Sequence, residues 1–471
     1  MQHFCRKLTM AILNIFLSVL LNISILTEAG PIQQANISVQ LKDLTTGEVI
    51  EAYRPNNVVP PASVMKLLTT GAALETLGPG FRFSTWIEYT GAIQDGVLEG
   101  DLIIRGGCDP SLGNLKSYQR CLNVWVRKVR EAGIRKISGC VRADQNLLDA
   151  DAANPAWLME DCGNYYAPGI FALNYMDNTL NIVLKSGPIG TMADVVRTEP
   201  DYPGLQFINH IRCTSITYDG AFVSGLPYMN IRYLTGSVPS NQGQFGVKAD
   251  LPNPGFLLAH HLTQRLEEAG IAVTHEPLGE TPLLTAARTL IYEHKSDSLG
   301  ALIAETNINS NNLYAEAVFR YLGLQYGTPG TVANSCNFLR DFWLRRGINV
   351  RNALIKDGCG LAPQDAISAS VLVNLLTYMN KSKYQDIWYA SLPISGQSGT
   401  LRSLCDGTEL EGRIHAKSGT IAGTKNFAGY IDMPNGHRWA FAILINSAAG
   451  KARNIQYFIE QYLLDVYRAN Q

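Results

Sequence analysis

A serine and a lysine three residues apart, Ser63 and Lys66, open an apolar helical pattern. Residues at this spacing share one helical face, so the hydroxyl and the amine lie within reach of each other. A serine hydroxyl attacks a carbonyl poorly unless a base takes its proton, and a lysine that an apolar environment keeps neutral is such a base. The pair therefore predicts nucleophilic hydrolysis through Ser63. A helix-capping serine beside a solvated lysine is the alternative.

A second polar group, Ser310 and Asn312, lies where another helical pattern begins. A serine at this place can relay a proton between a substrate and a base. The side-chain amide of Asn312 can hydrogen-bond a substrate amide. An ordinary polar helix cap is the alternative, since serine and asparagine are both favoured at that position.

The third group is Lys417-Ser418-Gly419-Thr420, on a predicted strand near the C-terminus. An edge strand offers unpaired backbone groups to an extended peptide, and Gly419 lets ligand and backbone approach closely. Lys417 would place a positive charge near a substrate carboxylate. The N–H of Thr420 and an N–H at the start of the first helix are candidate donors to an oxyanion. The alternative for Lys417 is a strand-edge lysine that opposes aggregation.

In combination the three groups resemble the motifs of penicillin-binding proteins and serine β-lactamases. The residues that flank these motifs narrow the resemblance to the class C low-molecular-mass penicillin-binding proteins. These are the D-Ala-D-Ala carboxypeptidases/endopeptidases of serine peptidase family S13. The segments that carry this likeness are residues 61–66, 100–107, 312–316 and 416–420. The stretch between Ser63 and Ser310 is too long for a simple β-lactamase-like domain.

The resemblance implies an α+β fold with a β-lactamase/transpeptidase-like domain, in which helices cover an antiparallel sheet. A large, mainly β inserted region would form one or two extra domains. The resemblance also implies that a penultimate D-Ala carbonyl acylates Ser63, with Lys66 as general base and Ser310 as the proton shuttle to the leaving amine. Water would then hydrolyse the acyl-enzyme.

The same resemblance implies which residues bind the substrate. Asn312 would hold the substrate amide, and Lys417 would attract the carboxylate of the leaving residue beside Ser418 and Thr420. The family often has Thr where Ser418 stands, and the hydroxyl is retained. Asp161 resembles an acid that in this family binds the amine of the diamino acid in the stem peptide. A solvated surface acid is the alternative for Asp161.

Partners and cofactors follow from the resemblance as well. The substrates would be peptidoglycan stem peptides, and β-lactam antibiotics would be covalent inhibitors. Neither a metal nor an organic cofactor is required. The chain departs from the family at Cys359, where Ser is usual, and the sequence leaves open whether Cys359 touches the site.

The elements that must position these groups come from both ends of the chain. The patterns predict two strands and a helix near the N-terminus, then three strands and a closing helix near the C-terminus. Together they favour one helix-covered antiparallel sheet. The predicted strands are 37–41, 49–53, 413–420, 426–433 and 439–445, and the closing helix is 455–467.

These elements set the expected domain boundaries. Residues 1–29 are predicted to be a signal peptide, since a short basic start precedes an apolar stretch and small residues. Residues 30–82 and 292–471 would form the discontinuous catalytic domain, with 83–291 inserted. An uncleaved membrane anchor is the alternative for the N-terminus. Cleavage would leave no integral membrane segment and would deliver the protein to the periplasm or the extracytoplasmic wall space.

The net charge and the absence of other catalytic motifs argue against several other classes of protein. The formal net charge of −1 gives no sign of a nucleic-acid-binding surface. The sequence contains neither H-E-x-x-H nor G-x-S-x-G, which argues against a zinc peptidase and an α/β-hydrolase. A catalytically inactive cell-wall-binding scaffold remains the non-enzyme alternative. Eight cysteines follow the predicted signal peptide, and they permit either disulfides or buried free thiols.

Overall fold

The computed structural model describes residues 32–114, 118–279 and 286–471, so the predicted signal peptide lies outside the described residues. Within those ranges, no helix is long and apolar enough to cross a membrane. The chain divides into two compact units. The first contains the chain up to Pro79 together with Ile303–Asn311 and Leu339–Gln471. The second contains Gly80–Leu302 and Asn312–Phe338.

The strands and helices are numbered here in chain order. The strands are β1 Asn36–Asp43, β2 Val49–Tyr53, β3 Ser84–Thr90, β4 Ala92–Gln94, β5 Val97–Glu99, β6 Leu102–Arg105, β7 Lys136–Ile137, β8 Val141–Asp144, β9 Thr179–Lys185, β10 Asp194–Glu199, β11 Gln206–Asn209, β12 Arg212–Thr214, β13 Gly220–Ser224, β14 Ile231–Pro239, β15 Phe245–Asp250, β16 Ala272–Val273, β17 Arg288–Lys295, β18 Ile414–Ile421, β19 Thr424–Asp432 and β20 Arg438–Asn446. The helices are α1 Lys66–Leu77, α2 Tyr118–Glu131, α3 Pro254–Glu268, α4 Leu299–Ile308, α5 Asn312–Gly323, α6 Val332–Arg345, α7 Ala369–Met379, α8 Gln385–Ala390 and α9 Ala452–Ala469.

The first unit is built on a single sheet with the strand order β18-β19-β20-β1-β2, and every pair in it is antiparallel. This confirms the predicted sheet made from both ends of the chain. The central strand β20 is buried along almost its whole length, because helices cover both of its faces. Alternate residues, Phe441, Ile443 and Ile445, pack against α9, and α7 contacts the same strand. The order leaves β18 at the edge of the sheet.

The second unit is mainly β, as predicted for the inserted region. It contains four small sheets, and α2 and α3 pack with their strands in one apolar core. The strand orders are β10-β9-β15, β11-β14-β12 with β13 paired to β14, β16-β7-β5-β4, and β17-β3-β6-β8.

All eight cysteines after the predicted signal peptide are free thiols. Seven of them are buried and Cys336 is partly exposed. Of the two interpretations that their even number left open, the structure has buried thiols and no disulfide among the described residues. The chain therefore holds its core by packing of apolar side chains.

Candidate active site

Ser63 and Lys66 lie on consecutive turns at the start of the first unit's long apolar helix. Ser63 belongs to a 3₁₀ turn, Ala62–Met65, and Lys66 is the first residue of α1. Residues three apart eclipse each other on a 3₁₀ turn. The Lys66 Nζ donates a hydrogen bond of 3.0 Å to the Ser63 Oγ. The sequence predicted the helix to begin at Ser63, and the tighter turn in front of α1 is what aligns the two side chains.

Lys66 is fully buried, and a backbone carbonyl shares its amine with Ser63. The Lys66 Nζ donates to the carbonyl oxygen of Cys359 over 2.8 Å. The Cys359 thiol lies elsewhere, 3.5 Å from the Asp357 Oδ2. This answers the question that the sequence left open, because Cys359 meets the site through its backbone and its side chain packs against Asp357.

The loop that presents this carbonyl is held by one buried carboxylate. Asp357 accepts hydrogen bonds of 2.6–3.1 Å from four backbone N–H groups of the loop, those of Cys359, Gly360, Leu361 and Ala362. Carboxylates that accept several backbone N–H groups make strong, charge-assisted hydrogen bonds. The loop therefore presents the Cys359 carbonyl oxygen to the Lys66 amine in a fixed position.

Lys417 and Ser310 form a second hydroxyl–amine pair within the first unit. The Lys417 Nζ donates to the Ser310 Oγ over 2.9 Å and to the Ser418 carbonyl oxygen over 2.8 Å. Ser310 has φ +59, a left-handed conformation that is uncommon for a non-glycine residue and recurs at functional sites. Burial, followed by repulsion from Lys66 and Lys425, holds the pKa of Lys417 well below its usual value. Lys66 and Lys425 thus both act on Lys417 within this unit.

The edge strand β18 passes against the turn that carries Ser63. A Cβ on Gly419 would lie 2.6 Å from the Pro61 carbonyl oxygen and 3.1 Å from the Ser63 nitrogen, so only glycine fits without a shift. The Ala416 N–H donates to the Pro393 carbonyl, away from β19. Backbone groups alternate sides along an antiparallel strand, which places the Thr420 N–H on the same open edge as that of Ala416. Thr420 itself is exposed.

The other two predicted substrate-binding residues, Asn312 and Asp161, belong to the second unit. Asn312 begins α5, and its Nδ2 donates to the Tyr166 carbonyl oxygen over 2.7 Å. The Tyr166 hydroxyl donates to the Asp161 Oδ1 over 2.9 Å. Burial raises the pKa of Asp161, and the hydrogen bond from Tyr166 opposes that shift. Asp161 is therefore a partly buried, hydrogen-bonded acid, and its neighbour Glu160 is the exposed one.

Sequence reasoning missed two residues that the structure joins to this set. Tyr166 links Asp161 to Asn312, and Lys425 donates to the Thr420 hydroxyl over 3.1 Å. The hairpin from β18 to β19 could have indicated Lys425, since the register pairs it directly with Thr420. No pattern in the sequence pointed to Tyr166.

We predict that Gly419→Ala slows acylation of Ser63 by a penicillin by about 100-fold. The added Cβ must push β18 away from Ser63, and a misplacement of about 1 Å costs this much in rate. The acylation rate constant of purified protein with a fluorescent penicillin measures the effect. Gly80→Ala is the control, because a Cβ there meets nothing within 4 Å and should leave the rate unchanged. An unchanged rate in folded Gly419→Ala would show that this close approach does not position the site.

Known proteins resemble this chain in sequence and in fold. The chain is 26% identical over 445 residues to a D-alanyl-D-alanine carboxypeptidase of Actinomadura sp. (strain R39), covering 92% of this chain and 81% of the relative. Penicillin binding protein 4 (dacB) from Haemophilus influenzae has the same fold, with a TM-score of 0.83 at 23% identity over 95% of this chain and 99% of that chain.

A more distant likeness is to the penicillin G acylated predatory endopeptidase Bd3459 from Bdellovibrio bacteriovorus. Its TM-score is 0.52 at 15% identity, over 92% of this chain and 93% of that chain. The family model for D-Ala-D-Ala carboxypeptidase 3 (S13) matches residues 20–464, nearly the whole sequence. The chain therefore belongs to the D-Ala-D-Ala carboxypeptidase 3 (S13) family.

Proposed function

We propose that this serine-type D-Ala-D-Ala carboxypeptidase trims peptidoglycan stem peptides through an acyl-enzyme on Ser63, and that it also cleaves D-Ala cross-links as an endopeptidase. The observation that carries the proposal is the fully buried amine of Lys66, held between the Ser63 Oγ and the Cys359 carbonyl oxygen. An amine in this position can take the serine proton as the hydroxyl attacks.

The acylation step uses both hydroxyl–amine pairs. Lys66 takes the proton of Ser63, and the Ser63 Oγ attacks the carbonyl of the penultimate D-Ala. The oxyanion that forms accepts hydrogen bonds from the N–H groups of Ser63 and Thr420. The C–N bond then breaks as Ser310 passes a proton to the leaving amine, and Lys417, hydrogen-bonded to Ser310, replaces that proton.

Substrate binding and deacylation complete the cycle. Asn312 holds the amide of the acyl part, and Asp161 binds the side-chain amine of the diamino acid. Lys417, Ser418 and Thr420 surround the carboxylate of the leaving residue. Water then attacks the ester carbonyl of the acyl-enzyme and gives up a proton, which Ser310 passes to the neutral amine of Lys417. Lys66 returns its proton to the Ser63 oxygen as the C–O bond breaks.

The endopeptidase activity, penicillin sensitivity and export belong to the same proposal. A cross-link is also an amide of a D-Ala carbonyl, so the same serine can attack it. The relatives include both a D-alanyl-D-alanine carboxypeptidase and a penicillin-acylated endopeptidase, which supports the pairing of these two activities. We propose that residues 1–29 direct export and are removed, so that the enzyme acts in the periplasm or wall space.

We also propose that residues 30–82 and 292–471 form the catalytic domain and that 83–291 is inserted. The discontinuous first unit supports this division, since it unites segments from both chain ends. The compact units and this proposed division differ at residues 80–82, 292–302 and 312–338, all of which cluster with the second unit.

Digestion of purified peptidoglycan tests the activity. We expect the enzyme to release D-Ala from pentapeptide stems and to convert cross-linked dimers into monomers, as measured by chromatography and mass spectrometry of the muropeptides. Ser63→Ala should yield neither product because it removes the nucleophile. Release of D-Ala by Ser63→Ala, or its absence with folded wild type, would contradict the proposal. Loss of D-Ala without dimer cleavage would reject only the endopeptidase part.

The depressed pKa of Lys417 gives a pH prediction. Below this pKa the side chain is cationic and attracts the leaving carboxylate. As pH rises through the pKa, well before the usual lysine range, the charge is lost and KM rises. A peptide amide lacks the carboxylate, so its KM should not show this rise. Steady-state kinetics from about pH 6 to about pH 10 on the acid and its C-terminal amide measure the difference. The same pH dependence of KM for both peptides would contradict this role for Lys417.

A further inference from the structure

Near the end of the edge strand β18, the exposed hydroxyl of Thr420 accepts a hydrogen bond from a lysine on the neighbouring strand. Lys425 lies directly across the β18–β19 hairpin from Thr420, and its Nζ donates to the Thr420 Oγ1 over 3.1 Å. The same ammonium lies 5.1 Å from the centre of the Phe427 ring, which fixes its direction further. Lys425 is thus a partly buried cation aimed at Thr420.

This hydrogen bond determines what Thr420 can do. An ammonium is only a donor, so the threonine oxygen must act as the acceptor. The hydroxyl proton of Thr420 is then left to donate to another group, and the side chain is exposed at the open edge of the sheet. An acceptor placed along that edge would receive a hydrogen bond polarised by the neighbouring charge.

The surrounding charges favour an anionic acceptor. Repulsion from Lys425 contributes to the low pKa of Lys417, so the two positive charges are close enough to affect each other's surroundings. Neither lysine forms an ion pair with a carboxylate among the residues that the structure describes. The negative charge of Glu460 counteracts part of the effect of burial on the pKa of Lys425. An anion bound at the edge would relieve this repulsion.

Lys425 also lines a cavity of the first unit. This cavity has a volume of about 580 Å³ and is lined by Ser403, Lys425, Arg453, Gln456, Tyr457 and Glu460. Lys425 is partly exposed, so its charge is less desolvated than that of the fully buried Lys417. A hydrated ammonium keeps its proton more readily than a fully desolvated one such as Lys417.

We propose that Lys425 is a positioning residue, which orients Thr420 to donate to the free carboxylate of the leaving D-amino acid. The inference rests on the proposed function. Lys425 does not touch the reacting atoms; it acts through the Thr420 hydroxyl and adds a second positive charge beyond Lys417. The pair makes the enzyme selective for leaving residues that end in a carboxylate over those that are amidated.

The test compares the full-length mature enzyme with Lys425→Met on two peptides, one ending in D-Ala-D-Ala and the other in its C-terminal amide. We expect kcat/KM for the acid to fall about 10-fold to 30-fold, as for the loss of a hydrogen bond to a charged group. The fall should come mainly from KM. We expect kcat/KM for the amide to change less than about twofold, because it lacks the carboxylate that the pair recognises.

Three further variants separate positioning from folding. Lys425→Arg should recover most of the activity on the acid, because it keeps a charged donor. Thr420→Val should lose about as much as Lys425→Met, and the double variant should lose little more, because the two residues act as one unit. Lys381→Met, at an exposed lysine of the same unit, should match wild type.

Equal losses on the acid and the amide, additive losses in the double variant, or wild-type activity of Lys425→Met would each overturn the inference. These outcomes are distinct from failure of the proposed function. In that case wild type would release neither D-Ala from the acid nor D-alaninamide from the amide.

Discussion

The first unit of this protein depends on how a fully buried lysine amine is satisfied. Burying an amine is costly unless hydrogen-bond acceptors replace the water that it loses. Here Lys66 has the Ser63 hydroxyl on one side and the Cys359 carbonyl on the other. The carbonyl is fixed because Asp357 binds four backbone N–H groups of its loop. The position of the nucleophile thus depends on a loop almost three hundred residues away in the sequence.

A second constraint is electrostatic. Lys66, Lys417 and Lys425 converge on the region around β18, and burial together with mutual repulsion makes the Lys417 proton easier to release. In the proposed function this arrangement has two uses: a lysine that gives up its proton readily can supply Ser310, and an excess of positive charge can attract the substrate carboxylate. Packing and charge therefore act together, since the strand that carries Lys417 also places Gly419 against the Ser63 turn.

Much of the main sheet and of the candidate site was predictable from the sequence. The strands of the main sheet were found to within two residues at most ends, because their apolar residues follow clear periods. The pair Ser63–Lys66 was expected from residue types and spacing. Ser310 and Lys417 were each named as site residues, but the hydrogen bond between them was not predicted. The role of Cys359 was not predicted either, because its contact is made by a backbone carbonyl that any residue would supply. Tyr166 was also missed, because its contact with Asn312 is made by its backbone carbonyl. Lys425 was missed because its contact with Thr420 depends on the register of the β18–β19 hairpin.

The central claim is that Lys66 activates Ser63, and intact-mass analysis after incubation with a penicillin tests it most directly. Wild type should gain one penicilloyl mass. Ser63→Ala should gain none, and folded Lys66→Met should be acylated slower by about 1,000-fold, the scale of a lost general base. A penicilloyl adduct on Ser63→Ala, or acylation of Lys66→Met at the wild-type rate, would contradict the account.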